Sequence, residues 1–199
     1  MSNERKKIDP INVLSPFIVT KEKVADMVGT KFLWKNIIAS SHSQAWIARG
    51  NGGKTLLAKH ACAHLAKIGY DVFYFQEDAG AGELPKLQAH AEENGYRLLN
   101  SMISNSSVEH IVEGLTKLTQ SDVDLSNHYY VFDTLKKFVD PNNKRLVKDF
   151  FTLLRNLTVL GAATNVLGHT TKREGEGVQM FDGVGDIRDD VDDLFYISA

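Results

Sequence analysis

Eight residues, Ala48-Arg49-Gly50-Asn51-Gly52-Gly53-Lys54-Thr55, restrict what this chain can fold into more than any others. They follow the GxxxxGK[ST] spacing, with Ala48 standing where the first glycine is usual. The run Gln44 to Ala48 precedes them as a strand candidate, and Leu57, Ala61, Leu65 and Ile68 follow at helical spacing. Strand, glycine-rich turn and helix in that order make an anion cradle. Successive main-chain N–H groups curl around a phosphate while the helix presents its positive end to the same charge. Arg49, Gly50, Asn51, Gly52, Gly53, Lys54, Thr55 and Leu56 are therefore expected to wrap the β- and γ-phosphates of a nucleotide. Lys54 adds a point charge, and the Thr55 hydroxyl is offered to Mg²⁺, which prefers oxygen ligands and keeps several waters.

The rest of the chain repeats the same alternation of short apolar runs with helical periodicity, the mark of a mostly parallel central sheet flanked by helices. Asp71 to Gln76 reads as a buried strand rich in β-branched and aromatic residues. A helix is expected from about Glu83 to Asn94, closed by Gly95, and Leu98 to Ile103 reads as another strand. Ser106 with Glu109 forms a capping box for a helix reaching about Gln120. Tyr129 to Phe132 is a strand ending in Asp133, and Lys144 to Leu157 is a helix with Leu146, Phe150, Leu153 and Leu157 on one stripe. Ala162 to Gly168 and Asp193 to Ser198 are the last strands, separated by a glycine-rich polar stretch over 170–185 with the composition of a mobile loop. Residues 1–12 are expected to be a disordered polar tail, and 13–199 one domain.

Carboxylates and a histidine stand where strands stop. A parallel sheet binds ligands at the carboxyl ends of its strands, the edge from which the phosphate loop emerges. Asp133 is there placed to serve Mg²⁺ through water. Glu77 is placed to orient an attacking water, with Asp78 as the adjacent competitor. His169 suits a sensor of the γ-phosphate. His60, His64, His90 and His110 fall in helical stretches without a second ligand at metal spacing, so structural or surface roles are expected for them. Asp189, Asp190, Asp192 and Asp193 are read as structural or solvated.

Composition narrows the setting. The 199 residues are 43% apolar and 24% charged, ordinary for a globular chain. Cys62 is the sole cysteine, so no internal disulfide is available. No run approaches the roughly 20 apolar residues of a membrane span, and MSNERKKIDP lacks the apolar stretch of a signal peptide; a cytoplasmic location is expected. The net charge of -2 gives no overall pull toward nucleic acid, so any such contact must be local.

Taken together, FLWKNIIASSHSQAWIARGNGGKTLLA, DVFYFQED, HYYVFDTLKKFVD, VLGHTTK and GVGDIRDDVDDLFYI make residues 32–198 resemble the RecA-like ATPases. The resemblance is greatest to the AAA-labelled subgroup that includes the RepA-type hexameric helicases of plasmids and related phage proteins. It implies ATP and Mg²⁺ as ligands, Glu77 as the activator of the lytic water, Asp133 on Mg²⁺ and His169 sensing the γ-phosphate. It also implies a basic residue donated by a neighbouring subunit, for which Lys172, Arg173 and Arg188 are the positions available. A homo-oligomer, a hexamer by the resemblance, acting as a motor on single-stranded DNA in replication or recombination of a mobile element is one expectation. An ATP-operated switch or assembly factor with slow turnover is the second, and a nucleotide-binding remnant permitted by Ala48 the third.

Overall fold

The computed structural model describes residues 9–24, 29–170 and 187–198. The chain divides into two compact units, Met1–Thr30 and Lys31–Ala199. The described part of the first is short and held by local bonds. Helix α1 (Pro10–Leu14) is capped by Asp9, whose Oδ1 accepts from the Ile11 N–H at 3.0 Å. A 3₁₀ turn over Ser15–Phe17 and helix α2 (Lys21–Val24) follow. Lys23 Nζ donates to the Pro16 and Ile18 carbonyls at 2.7 and 2.8 Å.

The second unit opens with a hairpin that lacks an obvious turn signal in the sequence. Strands β1 (Phe32–Trp34) and β2 (Ile38–Ala39) pair antiparallel. Lys35 and Asn36 between them both have positive φ, as a twist-compatible two-residue turn requires. The hairpin stands outside the main sheet and lays Trp34 against Trp46, ring centroids 6.1 Å apart.

Six strands make the main sheet: β3 (Ser43–Ala48), β4 (Asp71–Gln76), β5 (Arg97–Leu99), β6 (His128–Asp133), β7 (Ala163–His169) and β8 (Asp193–Tyr196). Their order is β5-β4-β6-β7-β3-β8, with every pairing parallel. Helices occupy the crossovers: α3 (Lys54–Lys67), α4 (Leu84–Asn94), α5 (Val108–Thr119), α6 (Leu135–Phe138) and α7 (Lys144–Val159). Because successive strand side chains point to opposite faces, each strand feeds two cores. Along β6, Tyr129 and Val131 join Trp46, Ala58, Cys62 and Leu65 on one face. Tyr130 and Phe132 join Phe75, Phe150, Leu154 and Leu157 on the other. Burial on both faces is why these strands read as continuous apolar runs.

Some boundaries differ from the sequence reading for identifiable reasons. Ser107, not Ser106, caps α5, its Oγ accepting from the His110 N–H at 3.4 Å. The strand expected over 98–103 stops at Leu99, because Asn100 turns its side chain back onto the β4 tip, Nδ2 donating to the Gln76 carbonyl at 2.6 Å. On α7, Leu146 is 47% exposed while Val147, Phe151 and Leu154 are buried. The buried face of α7 is thus broader than one stripe. The acidic run before β8 does structural work: Asp192 Oδ2 accepts from the Ser43 N–H and hydroxyl at 2.8 and 3.0 Å. Asp193 Oδ2 lies 2.8 Å from His42 Nδ1 and accepts from Gln44 Nε2 at 3.2 Å.

Gly161 marks the tightest turn. Its φ is +101°, and a Cβ there would meet the Ser126 backbone at 2.8 Å. Gly161→Ala is expected to lower unfolding free energy by about 2 kcal/mol. Gly114→Ala, on the exposed face of α5 with nothing within 4 Å of its Cβ position, is expected to raise it by roughly 0.5–1 kcal/mol. Urea denaturation of the two variants checks both signs.

Candidate functional site

The parallel arrangement brings the carboxyl ends of β3, β4, β6 and β7 to one edge. Register pairs Gln76 with Asp133, Asp133 with Leu167 and Ala48 with His169, so these residues are neighbours across strands. A cavity of about 650 Å³ opens there, lined by residues 50–56 together with Gln76, Asp78, Asp133 and His169. Lys59, Glu83 and Lys86 continue its wall outward. That volume is ample for a small-molecule ligand.

The loop after β3 turns sharply into α3. Asn51 and Gly53 have φ of +61° and +81°, and the Gly52 N–H donates to the Arg49 carbonyl at 3.0 Å. A Cβ on Gly52 would lie 2.9 Å from the Arg49 carbonyl oxygen and 3.0 Å from the Ala48 Cβ. The methyl of Ala48 therefore takes up space that a side chain at position 52 would need. An alanine at the first position is accommodated because Gly52 has none. Arg49 takes part through its carbonyl and lies outside the cavity lining.

Lys54 sits at the first turn of α3, 5% exposed. Its Nζ donates to the Ala48 and Arg49 carbonyls at 3.2 and 3.1 Å and lies 3.4 Å from His169 Nδ1. Burial lowers the Lys54 pKa, an effect opposed by the charges of Asp133 and Asp78. The His169 pKa is also lowered, by burial first and then by the Lys54 and Lys136 ammonium groups. A neutral His169 can accept from Lys54, which fixes the ring beside the cavity.

Asp133 is the convergence point. Its Oδ2 accepts from Thr55 Oγ1 at 2.8 Å, Tyr74 Oη at 2.7 Å and Gln76 Nε2 at 2.9 Å. The residue is 4% exposed, and a carboxylate this deep needs such donors to offset its lost hydration. Burial, then the charge of Asp133, pushes the Tyr74 phenol well above its usual range, so it stays a donor. The next peptide, Asp133–Thr134, is cis, and Thr134 Oγ1 donates to the Leu167 carbonyl at 2.7 Å.

Thr55 and Asp133 meet a specific test for Mg²⁺. Among the described residues no cluster of three His, Cys, Asp or Glu side chains could hold a metal alone. A hydroxyl and a carboxylate side by side at the base of a phosphate cradle suit an ion that takes most of its remaining ligands from nucleotide oxygens and water. Thr55, and Asp133 through water, are the residues that would hold it.

The other sequence candidates are distributed unevenly. Glu77 leaves β4 with its carboxylate turned onto Ser101, Oε1 accepting from the Ser101 N–H and Oε2 from its hydroxyl, both at 2.7 Å. Glu77 is absent from the cavity lining whereas Asp78, its neighbour, is part of it. Arg188 lies exposed in a 3₁₀ turn (Ile187–Asp189), away from that lining. Lys172 and Arg173, and the loop expected over 170–185 from Thr171 onward, lie outside the described residues. Sequence reasoning missed Lys136 and Lys137 of α6, which face Asp78 at 3.8 and 3.5 Å. The signal was present: a lysine pair at the start of the segment that follows the Asp133 strand, separated from it by Thr134 and Leu135.

A six-stranded parallel sheet with helices in its crossovers and a glycine-rich loop after β3 defines an α/β chain of RecA-like fold. No protein-family model matches the sequence, and no curated protein matches it. Among solved structures, the flagellar accessory protein FlaH from Methanocaldococcus jannaschii matches with a TM-score of 0.53 at 13% identity. The alignment covers 80% of this chain and 72% of that one. At that identity the likeness speaks for the fold alone. Among the described residues no helix is long and apolar enough to cross a membrane.

The lowered pKa of His169 carries a sign. Its folded pKa lies below the unfolded value of about 6.5, so the unfolded chain takes up the proton first as pH falls. Stability is expected to decline below about pH 6.5, and His169→Gln is expected to flatten that decline. Equal slopes of unfolding free energy against pH in wild type and variant would remove the argument for a half-buried neutral ring.

Proposed function

We propose that this chain binds Mg-ATP at the carboxyl edge of its sheet and hydrolyses it. The observation that carries this reading is the 2.8 Å hydrogen bond from Thr55 to Asp133 within the cavity that Lys54 and His169 also border. This supports reading the loop, the two oxygens and the Lys54 cation as parts of one site. Lys54 balances charge on the β- and γ-phosphates. Mg²⁺, when held by Thr55 and Asp133, supplies charge neutralisation on the transferred phosphoryl group. Glu77, once released from Ser101, accepts a proton from the attacking water as the water oxygen bonds to the γ-phosphorus. The bond from the γ-phosphorus to the bridging oxygen breaks, and ADP leaves with that oxygen while the γ-phosphoryl group departs as inorganic phosphate. His169 contacts the γ-phosphate. Lys172, Arg173 or Arg188 of a neighbouring subunit adds positive charge, an effect worth up to roughly 10³–10⁵ in rate.

Two uses of the site follow from this chemistry. The sequence resemblance to RepA-type helicases supports a homo-oligomeric, hexameric motor on single-stranded DNA working in replication or recombination of a mobile element. The Ser101 contact of Glu77 supports an ATP-operated switch, whose turnover stays slow until that contact is released.

One experiment separates them: ATP hydrolysis without DNA, with single-stranded DNA and with duplex, paired with sizing of the chain with and without ATP. A motor is accelerated by single-stranded DNA in a salt-dependent way. A switch forms ATP-dependent oligomers with no response to DNA. In either case Lys54→Ala is expected to abolish nucleotide binding or turnover, and Glu77→Gln to retain ATP while losing at least about 10²-fold in rate. Wild-type turnover in Glu77→Gln would transfer the role of base to Asp78.

A further inference from the structure

We infer that Ser101 is a positioning residue that holds the Glu77 carboxylate away from the phosphate cavity, so that release of this contact sets the rate of turnover. The inference rests on the ATPase reading above and assigns a control to the same site.

The residues on either side of Glu77, Gln76 and Asp78, line the cavity, and the Glu77 N–H is bonded to the Asp133 carbonyl at 2.8 Å. The main chain is therefore at the right edge, and only the side chain points elsewhere. Both of its oxygens are engaged, one by the Ser101 N–H and one by its hydroxyl, each at 2.7 Å. Hydrogen bonds to a carboxylate are stronger than those between neutral groups. To reach an attacking water, the side chain must give up both.

Ser101 is itself well anchored. Asn100 bonds back to the β4 tip through the Gln76 carbonyl at 2.6 Å, and its own Oδ1 accepts from the Ile103 N–H at 3.0 Å. The Ser106 N–H donates to the Ser101 carbonyl at 2.9 Å, closing the turn. Ser101 is 8% exposed. The donor pair that faces Glu77 is consequently fixed before any ligand arrives, and the flexible partner is the glutamate. The same turn leaves Met102 and Ile103 59% and 65% exposed beside it.

The test is steady-state ATP hydrolysis with a parallel equilibrium measurement of ATP binding, on the full chain. Ser101→Ala removes the hydroxyl bond and is expected to raise kcat on the order of tenfold, with KM and ATP affinity unchanged. Ser101→Thr keeps a hydroxyl and is expected to bring the rate back toward wild type. Ser101→Ala combined with Glu77→Gln is expected to lose the gain, which ties it to the glutamate. An unchanged or lower kcat in Ser101→Ala, with ATP still bound normally, overturns the clamp and leaves the ATPase reading standing. Failure of the wild-type chain to bind ATP overturns that reading, and the clamp with it.

Discussion

One oxygen organises this protein's functional edge. Asp133 Oδ2 receives the Thr55 hydroxyl from α3, the Tyr74 phenol from within β4 and the Gln76 amide from the β4 tip. The strands concerned are not all adjacent, since β7 stands between β6 and β3. The hydrogen bond from Thr55 therefore reaches across a strand and locks the phosphate loop to the sheet position that carries the acid. A buried carboxylate without such donors would cost several kcal/mol. The same bonds that make its burial tolerable aim its group at the place where a metal would be needed.

The elements legible from the sequence are those whose cause is local. The strand read over 71–76 is β4 to the residue, because Val72, Phe73, Tyr74 and Phe75 form a run bounded by Gly69 and the acidic pair Glu77 and Asp78. The phosphate loop declared itself through glycines that the turn and the close approach to Ala48 require. What escaped depends on contacts distant in sequence. The β1–β2 hairpin turns at Lys35 and Asn36 without glycine, and its strands are fixed by packing Trp34 and Ile38 beneath the sheet. The strand read over 98–103 fails at Asn100 because that side chain satisfies a carbonyl 24 residues away. Position was read correctly for Glu77 at the end of β4, yet its side-chain direction depends on Ser101, which no local pattern announces.

The substitution of Ala48 for glycine and the retention of Gly52 belong together. A methyl fills the space under the loop, and the missing Cβ at position 52 receives it. The cradle keeps its curl with a stiffer first residue. Beside it, Lys54 is held by two carbonyls and His169, bonds it gives up to meet a phosphate, whereas the curl of the loop is already formed. Preorganisation of this sort lowers the cost of ordering a site when ligand arrives. Glu77 turns its carboxylate onto Ser101 and not into the cavity. On the proposed reading, a phosphate cradle formed in advance beside a base held on Ser101 favours binding first and gated hydrolysis second.

The most direct measurement is an experimental structure with Mg²⁺ and a slowly hydrolysed ATP analogue. The account predicts the β- and γ-phosphates within the main-chain amides of residues 50–55, Lys54 swung from its carbonyls onto them, and the metal beside Thr55 and Asp133. A triphosphate bound on another edge of the sheet, or a metal with no oxygen from Thr55 or Asp133 in either its inner or its water-mediated shell, would contradict it.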